Sequence, residues 1–472
     1  MKAKVFIGSK CRENYEYESR KNPHTKKIVS YVAICNKNDA KEALEVAKEA
    51  YCKNKKVPLH QRVDWLLDVA SKLEEQREDI AKTITDEVGK PIKFSRIEVN
   101  RAIETIKLSA SAMLNIHGET FDTTATPSGK ESLAFYKRES VGVVVAITPF
   151  NFPINLVAHK IAPALVAGNS VVLKPTPEAP LTAYKLAKLF IQSRFAPKDS
   201  LSLVYGDVEV GSTLVESSIP RVISFTGSVG VGEIILKSAG IKKVALELGG
   251  NAGTFIDKNA DITDSAKKCA MGAFINSGQV CISLQRIYIH KEVYEKFSKA
   301  LEEETKKLKV GSPYEEDTFI GPLINEDALD RVKRWVQSAI NEGATLVCGN
   351  KAEGLSYYPT VLKDVTDSMK IVCEEVFAPI VSLVKVDDFE EARDKINNSL
   401  YGLQHSIFTN DLTLAKRAID EFEAGGVVVN DIPTLRFDIQ PYGGVKLSGI
   451  GKEGPKYAIE EDYTQIKSVV IF

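Results

Sequence analysis

The stretch VGVVVAITPFNFPINLVAHKIAPALVAGNSVVLK, residues 141–174, decides the fold. A β-branched run ends at Thr148, prolines interrupt the chain at Pro149 and Pro153, an apolar helical segment covers Asn155–Val166, and a second β-branched run covers Ser170–Lys174. Strand, helix and strand in that order make a parallel crossover unit. The uncharged part, Ser140 to Ala158, is nearly long enough to span a membrane. Pro149, Asn151, Pro153 and Asn155 interrupt it, so a transmembrane helix is rejected.

The same alternation continues downstream. Strands are expected at Ser200–Tyr205, Arg221–Thr226 and Lys243–Leu248, with helices near Leu181–Ser193, Val208–Glu216 and Gly230–Ser238. Joined by helical crossovers, they imply a mostly parallel sheet covered on both faces. Ligands bind such sheets beyond the carboxyl ends of the strands, where Thr148, Lys174, Gly206, Thr226 and Gly249 fall. After Gly250 a second α/β series begins, with runs at Thr254–Ile256, Arg286–Ile289, Ile380–Val386, Ser406–Thr409 and Val427–Asn430, which predicts a second domain of similar design.

Upstream, an extended segment turns at Asn22-Pro23-His24 and continues through Ile28–Val32. Four helices follow. Asn38 or Asp39 is expected to cap the first, Pro58 opens the second, Gly89-Lys90-Pro91 closes the third, and the fourth runs from about Ser95 to Leu114. A polar, hairpin-like stretch, Glu119–Arg138, and a tail from about Gln440 fit neither α/β series. The tail ends in the apolar run Ile466–Phe472, whose unpaired backbone groups call for a partner, either another subunit or the 119–138 ribbon.

The chain has 472 residues, enough for two or three domains, and its 62 basic and 63 acidic residues leave a formal charge of -1. No global field draws it to nucleic acid or an anionic membrane, so neither is an expected partner. Apolar residues at 44% and charged residues at 26% argue against long disorder. The seven cysteines show no CxxC spacing and no signal peptide precedes them, so reduced thiols, a cytoplasmic location and no metal are expected. Abundant lysine and glutamate hint at heat adaptation.

Four local patterns carry chemistry. Cys281 sits in the loop Ser277-Gly278-Gln279-Val280-Cys281 after a helical segment, Ala266–Asn276; taken alone it is either a buried small hydrophobe or a nucleophile. Glu247, in Glu247-Leu248-Gly249-Gly250 at a strand end, is either a surface ion-pair partner or a general base. Asn151, in Thr148-Pro149-Phe150-Asn151-Phe152-Pro153, either caps a helix or aims an amide at a developing oxyanion. The turn Phe225-Thr226-Gly227-Ser228-Val229-Gly230-Val231-Gly232 can present backbone N–H groups and a helix dipole to a pyrophosphate.

Together these motifs, in this order and spacing, resemble the NAD(P)-dependent aldehyde dehydrogenase superfamily over essentially the whole chain. The resemblance implies an α/β fold of two Rossmann-like parallel-sheet domains with a small β oligomerisation ribbon. It implies a cofactor-binding domain over 1–118 and 139–246, a catalytic domain over 247–439, and an oligomerisation ribbon and tail over 119–138 and 440–472. Cys281 becomes the nucleophile, Glu247 the base, Asn151 the oxyanion donor, and Lys160 a member of a proton relay with the base. NAD or NADP is the implied cofactor, met by Thr148, Pro149, Lys174, Gly227, Ser228, Gly232, Glu375 and Phe377. The stretch Pro441–Gly449 resembles the family's late signature, leading into a tail that joins a homodimer or homotetramer.

The chain departs from the family pattern at Asn251, Ala378 and Pro177. The first two are expected to be packing changes. Many NAD-preferring members carry a glutamate where Pro177 stands, and losing that carboxylate removes repulsion of a 2′-phosphate, so NADP is expected to be admitted. Glu178 remains able to reach the ribose.

The implied reaction starts with attack of the Cys281 thiolate on an aldehyde, oxidises the adduct to a thioester, and uses Glu247 to activate the hydrolytic water. A remote alternative is a cofactor-free cysteine hydrolase using one of the six histidines as base, with His159 the nearest in sequence to the oxyanion turn. Val280 precedes the nucleophile where the branch that oxidises glyceraldehyde 3-phosphate carries an arginine, which favours a small uncharged aldehyde. The run Val428–Asp438 resembles archaeal lactaldehyde dehydrogenases, implying oxidation of lactaldehyde to lactate in the direction of coenzyme F420 synthesis. Arg436 keeps open an anionic tail, as in succinic semialdehyde.

Overall fold

The computed structural model describes residues 1–472. The crossover unit at 141–174 is as expected: strand Val143–Ile147, helix Asn155–Val166, strand Ser170–Lys174, with the two strands parallel from Val143 opposite Ser170 to Ile147 opposite Lys174. All twelve residues of the helix are buried, because the sheet lies on one side and helix Ile92–Leu114 packs on the other. That double burial explains why its sequence is apolar all round.

Parallel strands Leu201–Leu203, Pro220–Thr226 and Lys243–Glu247 complete the central five, as the alternation predicts. The sheet then grows at both edges by antiparallel strands, Val5–Ile7 and Lys10–Arg12 at one and Gly449–Ile450 at the other. These additions come from the two chain ends and leave no local periodic signal. A second sheet of seven strands runs Thr345–Cys348, Thr360–Lys363, Ile380–Val386, Leu284–His290, Ala252–Ile256, Gln404–Phe408 and Gly426–Val429, parallel except for its first strand. Each sheet packs its own apolar cluster.

Several element ends shift from the sequence expectation. The first helix, Lys37–Asn54, is capped by Asn36 and not by Asn38 or Asp39. Asn36 Oδ1 accepts the Asn38 N–H at 2.8 Å while Asp39 Oδ2 accepts the Asn36 N–H at 2.8 Å, a reciprocal box in which Asp39 is the third helical residue. The fourth helix begins at Ile92, immediately after Pro91, because Gly89 at φ 69° has already ended the third. The helix before Cys281 spans Ile262–Phe274 and stops earlier than expected, since Asn276 and Ser277 adopt left-handed backbone.

The ribbon is a three-stranded antiparallel sheet of Thr120–Asp122, Leu133–Ser140 and Thr464–Ile471. Of the two partners considered for the tail, the ribbon takes it: register runs from Thr464 opposite Ser140 to Ile471 opposite Leu133. The tail strand is the sheet's outer strand, with Ile466 and Val470 exposed. No helix is long and apolar enough to cross a membrane, and all seven cysteines are free thiols.

Candidate active site

A cavity of about 460 Å³ opens between the two sheets. Asn151, Glu247 and Cys281 line it together with Pro149, Gly227, Ser228, Glu375 and Phe377. Thr148, Lys160, Lys174 and Gly232 lie outside its wall.

Cys281 reaches the cavity through a strained loop. Asn276, Ser277 and Gly278 have φ of 52°, 55° and 69° in succession, and each non-glycine residue in that region costs about 1–3 kcal/mol. Gly278 is required here, because a Cβ would stand 2.2 Å from the Ala378 carbonyl oxygen. The neighbours hold the strain: Ser277 Oγ donates to the Gly321 carbonyl at 2.9 Å and accepts the Gly321 N–H at 3.1 Å. Gln279 Oε1 accepts the Ile324 N–H at 3.0 Å. Burial pushes the Cys281 thiol up to about 11, with nearby Glu375 and Glu247 adding to the rise and Tyr442 and Arg436 opposing it. Its sulfur lies 3.0 Å from the Tyr442 hydroxyl.

Asn151 is buried at the turn after strand Val143–Ile147, and it does not cap the following helix. That helix's leading N–H groups, those of Ile154 and Asn155, go to Glu98 Oε1 at 2.9 and 3.3 Å. Asn151 Nδ2 donates to the Gln279 carbonyl at 3.1 Å, which ties the amide to the cysteine loop. Lys90, also buried, donates to the Asn151 carbonyl at 2.6 Å and forms an ion pair with Glu98.

Glu247 ends strand Lys243–Glu247, opposite Thr226 on one side and Gly449 on the other. It is buried and carries no surface ion pair, and its Oε2 has no partner. Burial, then the negative charge of Glu453, raises its carboxyl well above the ordinary range. Lys160 makes no hydrogen bond to Glu247 itself: its ammonium donates to Glu453 Oε1 at 3.2 Å and Ser224 Oγ at 3.1 Å, and its charge acts on Glu247 beside that of Glu453. Arg436 joins the same carboxylate, 3.0 Å from Glu453 Oε2. Burial opposes ionisation of Glu453, but Lys160 and Arg436 outweigh it and hold the group down at about 2.

His159 is buried beneath the site, 2.9 Å from Asp438 Oδ1 and 3.3 Å from an Arg436 nitrogen. Burial and the Arg436 charge lower its pKa, so it is neutral, and it faces Asp438 rather than Cys281. That placement takes the nearest candidate base away from the thiol, and no histidine lines the cavity. Asp438 also accepts a bidentate pair from Arg101 at 2.9 and 2.7 Å.

Beside the cavity, helix Val229–Ser238 starts at Ser228, whose side chain makes no capping bond. The Gly227 N–H donates to the Glu247 carbonyl at 3.1 Å, and Gly232 is buried where a Cβ would meet Leu248. The hydroxyls of Thr148 and Thr226 are buried without partners. The two unpartnered hydroxyls, with the N-terminus of helix Val229–Ser238 left without a side-chain cap, fit a dinucleotide phosphate. Lys174 ends the strand on the far side of Val143–Ile147, with its ammonium disfavoured by burial and supported by Glu178 and Asp207. Glu178 accepts the Thr176 hydroxyl, so a carboxylate does face this corner even though Pro177 supplies none. Glu375 accepts the Gly250 N–H at 3.0 Å, and burial pushes its carboxyl up to about 7.

The two departures from the late motifs are packing positions, as expected. Asn251 Nδ2 donates to the Val372 carbonyl at 2.6 Å, and Ala378 is buried. Tyr442, Glu453, Asp438, Lys90, Glu98 and Arg101 received no role from sequence. Their partners lie far along the chain, as with Lys160 and Glu453, 293 positions apart. A buried Lys90 inside Gly89-Lys90-Pro91 was the one legible hint, since a lysine between a helix-ending glycine and a proline has little room to reach solvent.

A family model described as aldehyde dehydrogenase family matches residues 12–469. The chain is 46% identical over 458 residues to a 3-sulfolactaldehyde dehydrogenase of Priestia aryabhattai, covering 97% of this chain and 95% of that one. It is 42% identical over 457 residues to a lactaldehyde dehydrogenase of Methanococcus aeolicus, covering 96% of each. The crystal structure of an NADP-dependent glyceraldehyde-3-phosphate dehydrogenase from Bacillus halodurans, complexed with NADP, superposes with a TM-score of 0.97 at 35% identity, covering 100% of this chain and 99% of that one.

Proposed function

The chain belongs to the aldehyde dehydrogenase family, and from that premise we propose that it oxidises a small 2-hydroxyaldehyde, lactaldehyde first among them, to the acid. The reading rests on one observation, the convergence of Cys281, Asn151 and Glu247 on a single cavity. Ser228, Gly227, Thr226 and Lys174, with Glu375 and Phe377, would hold NAD or NADP, which when bound would supply the hydride acceptor. The unpartnered hydroxyls of Thr148 and Thr226 support that fit.

Cys281 acts as its thiolate, forming a carbon–sulfur bond to the aldehyde carbon. Asn151 and the Cys281 N–H donate to the oxygen that becomes negative. Loss of hydride from that adduct leaves a thioester on Cys281. Glu247, once ionised, takes a proton from water, whose oxygen attacks the thioester carbon; the carbon–sulfur bond breaks, the acid leaves, and the thiolate is restored. Lys160 and Arg436 keep the neighbouring negative charge on Glu453, leaving Glu247 the proton-exchanging member of the pair.

A second reading is favoured by Arg101 and Arg436, which line the cavity wall: a 2-hydroxyaldehyde with an anionic group on its third carbon, such as sulfolactaldehyde. Val280, buried in an apolar cluster with Ile282, Leu403 and Tyr442, speaks for the smaller uncharged substrate. A cytoplasmic location and self-association through the outer strand Thr464–Ile471 into a dimer or tetramer complete the proposal. The test is a steady-state panel of lactaldehyde, sulfolactaldehyde, glyceraldehyde, glyceraldehyde 3-phosphate and succinic semialdehyde with each cofactor. Lactaldehyde should give the highest kcat/KM; a preference for sulfolactaldehyde of tenfold or more would transfer the assignment to the second reading.

A further inference from the structure

The half-buried thiol of Cys281 has a single hydrogen-bond partner, and it is not one of the charged groups around it. Tyr442 Oη stands 3.0 Å from the sulfur. Tyr442 is held from both ends. Its N–H donates to the Glu453 carbonyl at 3.0 Å and its carbonyl accepts the Glu453 N–H at 2.6 Å, fixing the backbone. The Arg436 guanidinium lies over its ring, 3.8 Å from the centroid, and is itself anchored on Glu453.

We propose that Tyr442 is a catalytic residue, whose hydroxyl donates a hydrogen bond to the Cys281 thiolate and whose ring passes the positive charge of Arg436 to that bond. This rests on the reading of Cys281 as the nucleophile. With a neutral thiol either atom can donate; once the sulfur is an anion only the phenol can, and the bond becomes charge-assisted. A cation on the ring face favours negative charge on the phenol oxygen and so strengthens the O–H as a donor. The groups facing the sulfur divide by sign: Glu247 and Glu375 oppose the thiolate, Arg436 favours it, and Tyr442 is the one in contact. A phenol between the arginine and the sulfur stabilises the anion through a directed hydrogen bond, with no charged group as the sulfur's partner.

The bond is strongest when the sulfur is an anion, before attack and again when the thiolate is expelled from the thioester. It is weakest in the acyl-enzyme, where the sulfur carries no charge. Tyr442 therefore assists bond formation and bond breaking without stabilising the intermediate between them.

The test is the rate of carbamidomethylation of Cys281 by iodoacetamide at pH 8, read peptide by peptide, with the exposed thiols Cys11 and Cys52 of the same sample as internal controls. Tyr442→Phe keeps the ring and the stacked arginine. Losing the bond should raise the thiol pKa by about one unit, about tenfold less thiolate. The more basic thiolate returns about threefold in reactivity, leaving a reaction about threefold slower. Replacing Tyr442 by 3-fluorotyrosine, a stronger donor of nearly the same size, should speed it. Arg436→Gln should slow the reaction in the wild type and much less in Tyr442→Phe, because its charge acts through the phenol. Unchanged or faster alkylation in Tyr442→Phe, with Cys11 and Cys52 reacting as before, overturns the proposal; so does no response to fluorination if the phenylalanine variant fails to fold. Turnover of Cys281→Ala reads the nucleophile assignment separately, since alkylation reports on the sulfur whether or not it is the nucleophile.

Discussion

Lys160 gives its ammonium to Glu453, at 3.2 Å, and that pairing decides which of two neighbouring carboxyls carries the negative charge. Arg436 adds a second cation to Glu453. Glu247 is left with an unpartnered oxygen and the proton. Removing water from two carboxyls costs least when only one is ionised, and the two cations select Glu453.

The first prediction separates nucleophile from base. Cys281→Ala should hold less than about a hundredth of wild-type turnover while binding cofactor normally. Glu247→Gln should give a single burst of reduced cofactor followed by turnover slowed roughly a hundredfold or more. Loss of the burst in Glu247→Gln would mean that Glu247 also activates the thiol.

The second concerns pH. Glu247 acts as a base only after losing its proton, so thioester hydrolysis should rise with pH. Glu453→Gln removes a like charge and frees Lys160 and Arg436 to face Glu247, which should move that limb to lower pH by about one unit or more. An unmoved limb in single-turnover hydrolysis would dissociate the pair.

Stability follows the same carboxyl with a definite sign. The folded pKa of Glu247 lies above the unfolded value of about 4.3, so its contribution is complete below that value and is lost as pH rises toward the folded pKa. Glu247→Gln should therefore gain in thermal midpoint relative to wild type as pH rises from about 5 to 9. A difference constant across that range would contradict the raised pKa.

Cofactor choice rests on residues 174–178. Wild type should reduce NADP measurably alongside NAD. Pro177→Glu should shift kcat/KM toward NAD by weakening NADP, by about 1–3 kcal/mol for a charged contact. Glu178→Gln should relax any residual bias against NADP, because Glu178 is the larger of the two carboxylate influences on Lys174, ahead of Asp207. No NADP turnover in wild type would assign the absent carboxylate's role to Glu178.

Lys90→Met isolates a buried Glu98 from its only ion-pair partner. Breaking such a pair costs about 3–5 kcal/mol, and a clear fall in thermal midpoint should show it. An unchanged midpoint would mean that the Lys90–Glu98 pair adds nothing net to stability.

The tail strand offers a prediction on assembly. Ile466 and Val470 are 58% and 51% exposed on the ribbon sheet. Ile466→Lys with Val470→Lys should lower the mass measured by light scattering if that strand joins subunits, and leave it unchanged if assembly uses another face.

By itself the sequence determined the five parallel strands, the two α/β series, and the loops that carry Asn151, Glu247 and Cys281. Each of these is written in local terms: β-branched runs, a helical period, and glycines or prolines where the backbone must turn. Strand Ser170–Lys174, helix Asn155–Val166 and helix Val208–Glu216 match residue for residue. Tertiary structure alone decided the side-chain partnerships. Cys281 and Tyr442 are 161 positions apart, Asn151 and Gln279 128, His159 and Asp438 279. Nothing in the residues around Lys160 distinguishes Glu453 from Glu247 as its partner. That choice follows from the tail folding back to lay Gly449–Ile450 against the strand ending in Glu247, which buries three charged groups together and leaves the ion pairs to be set by distance.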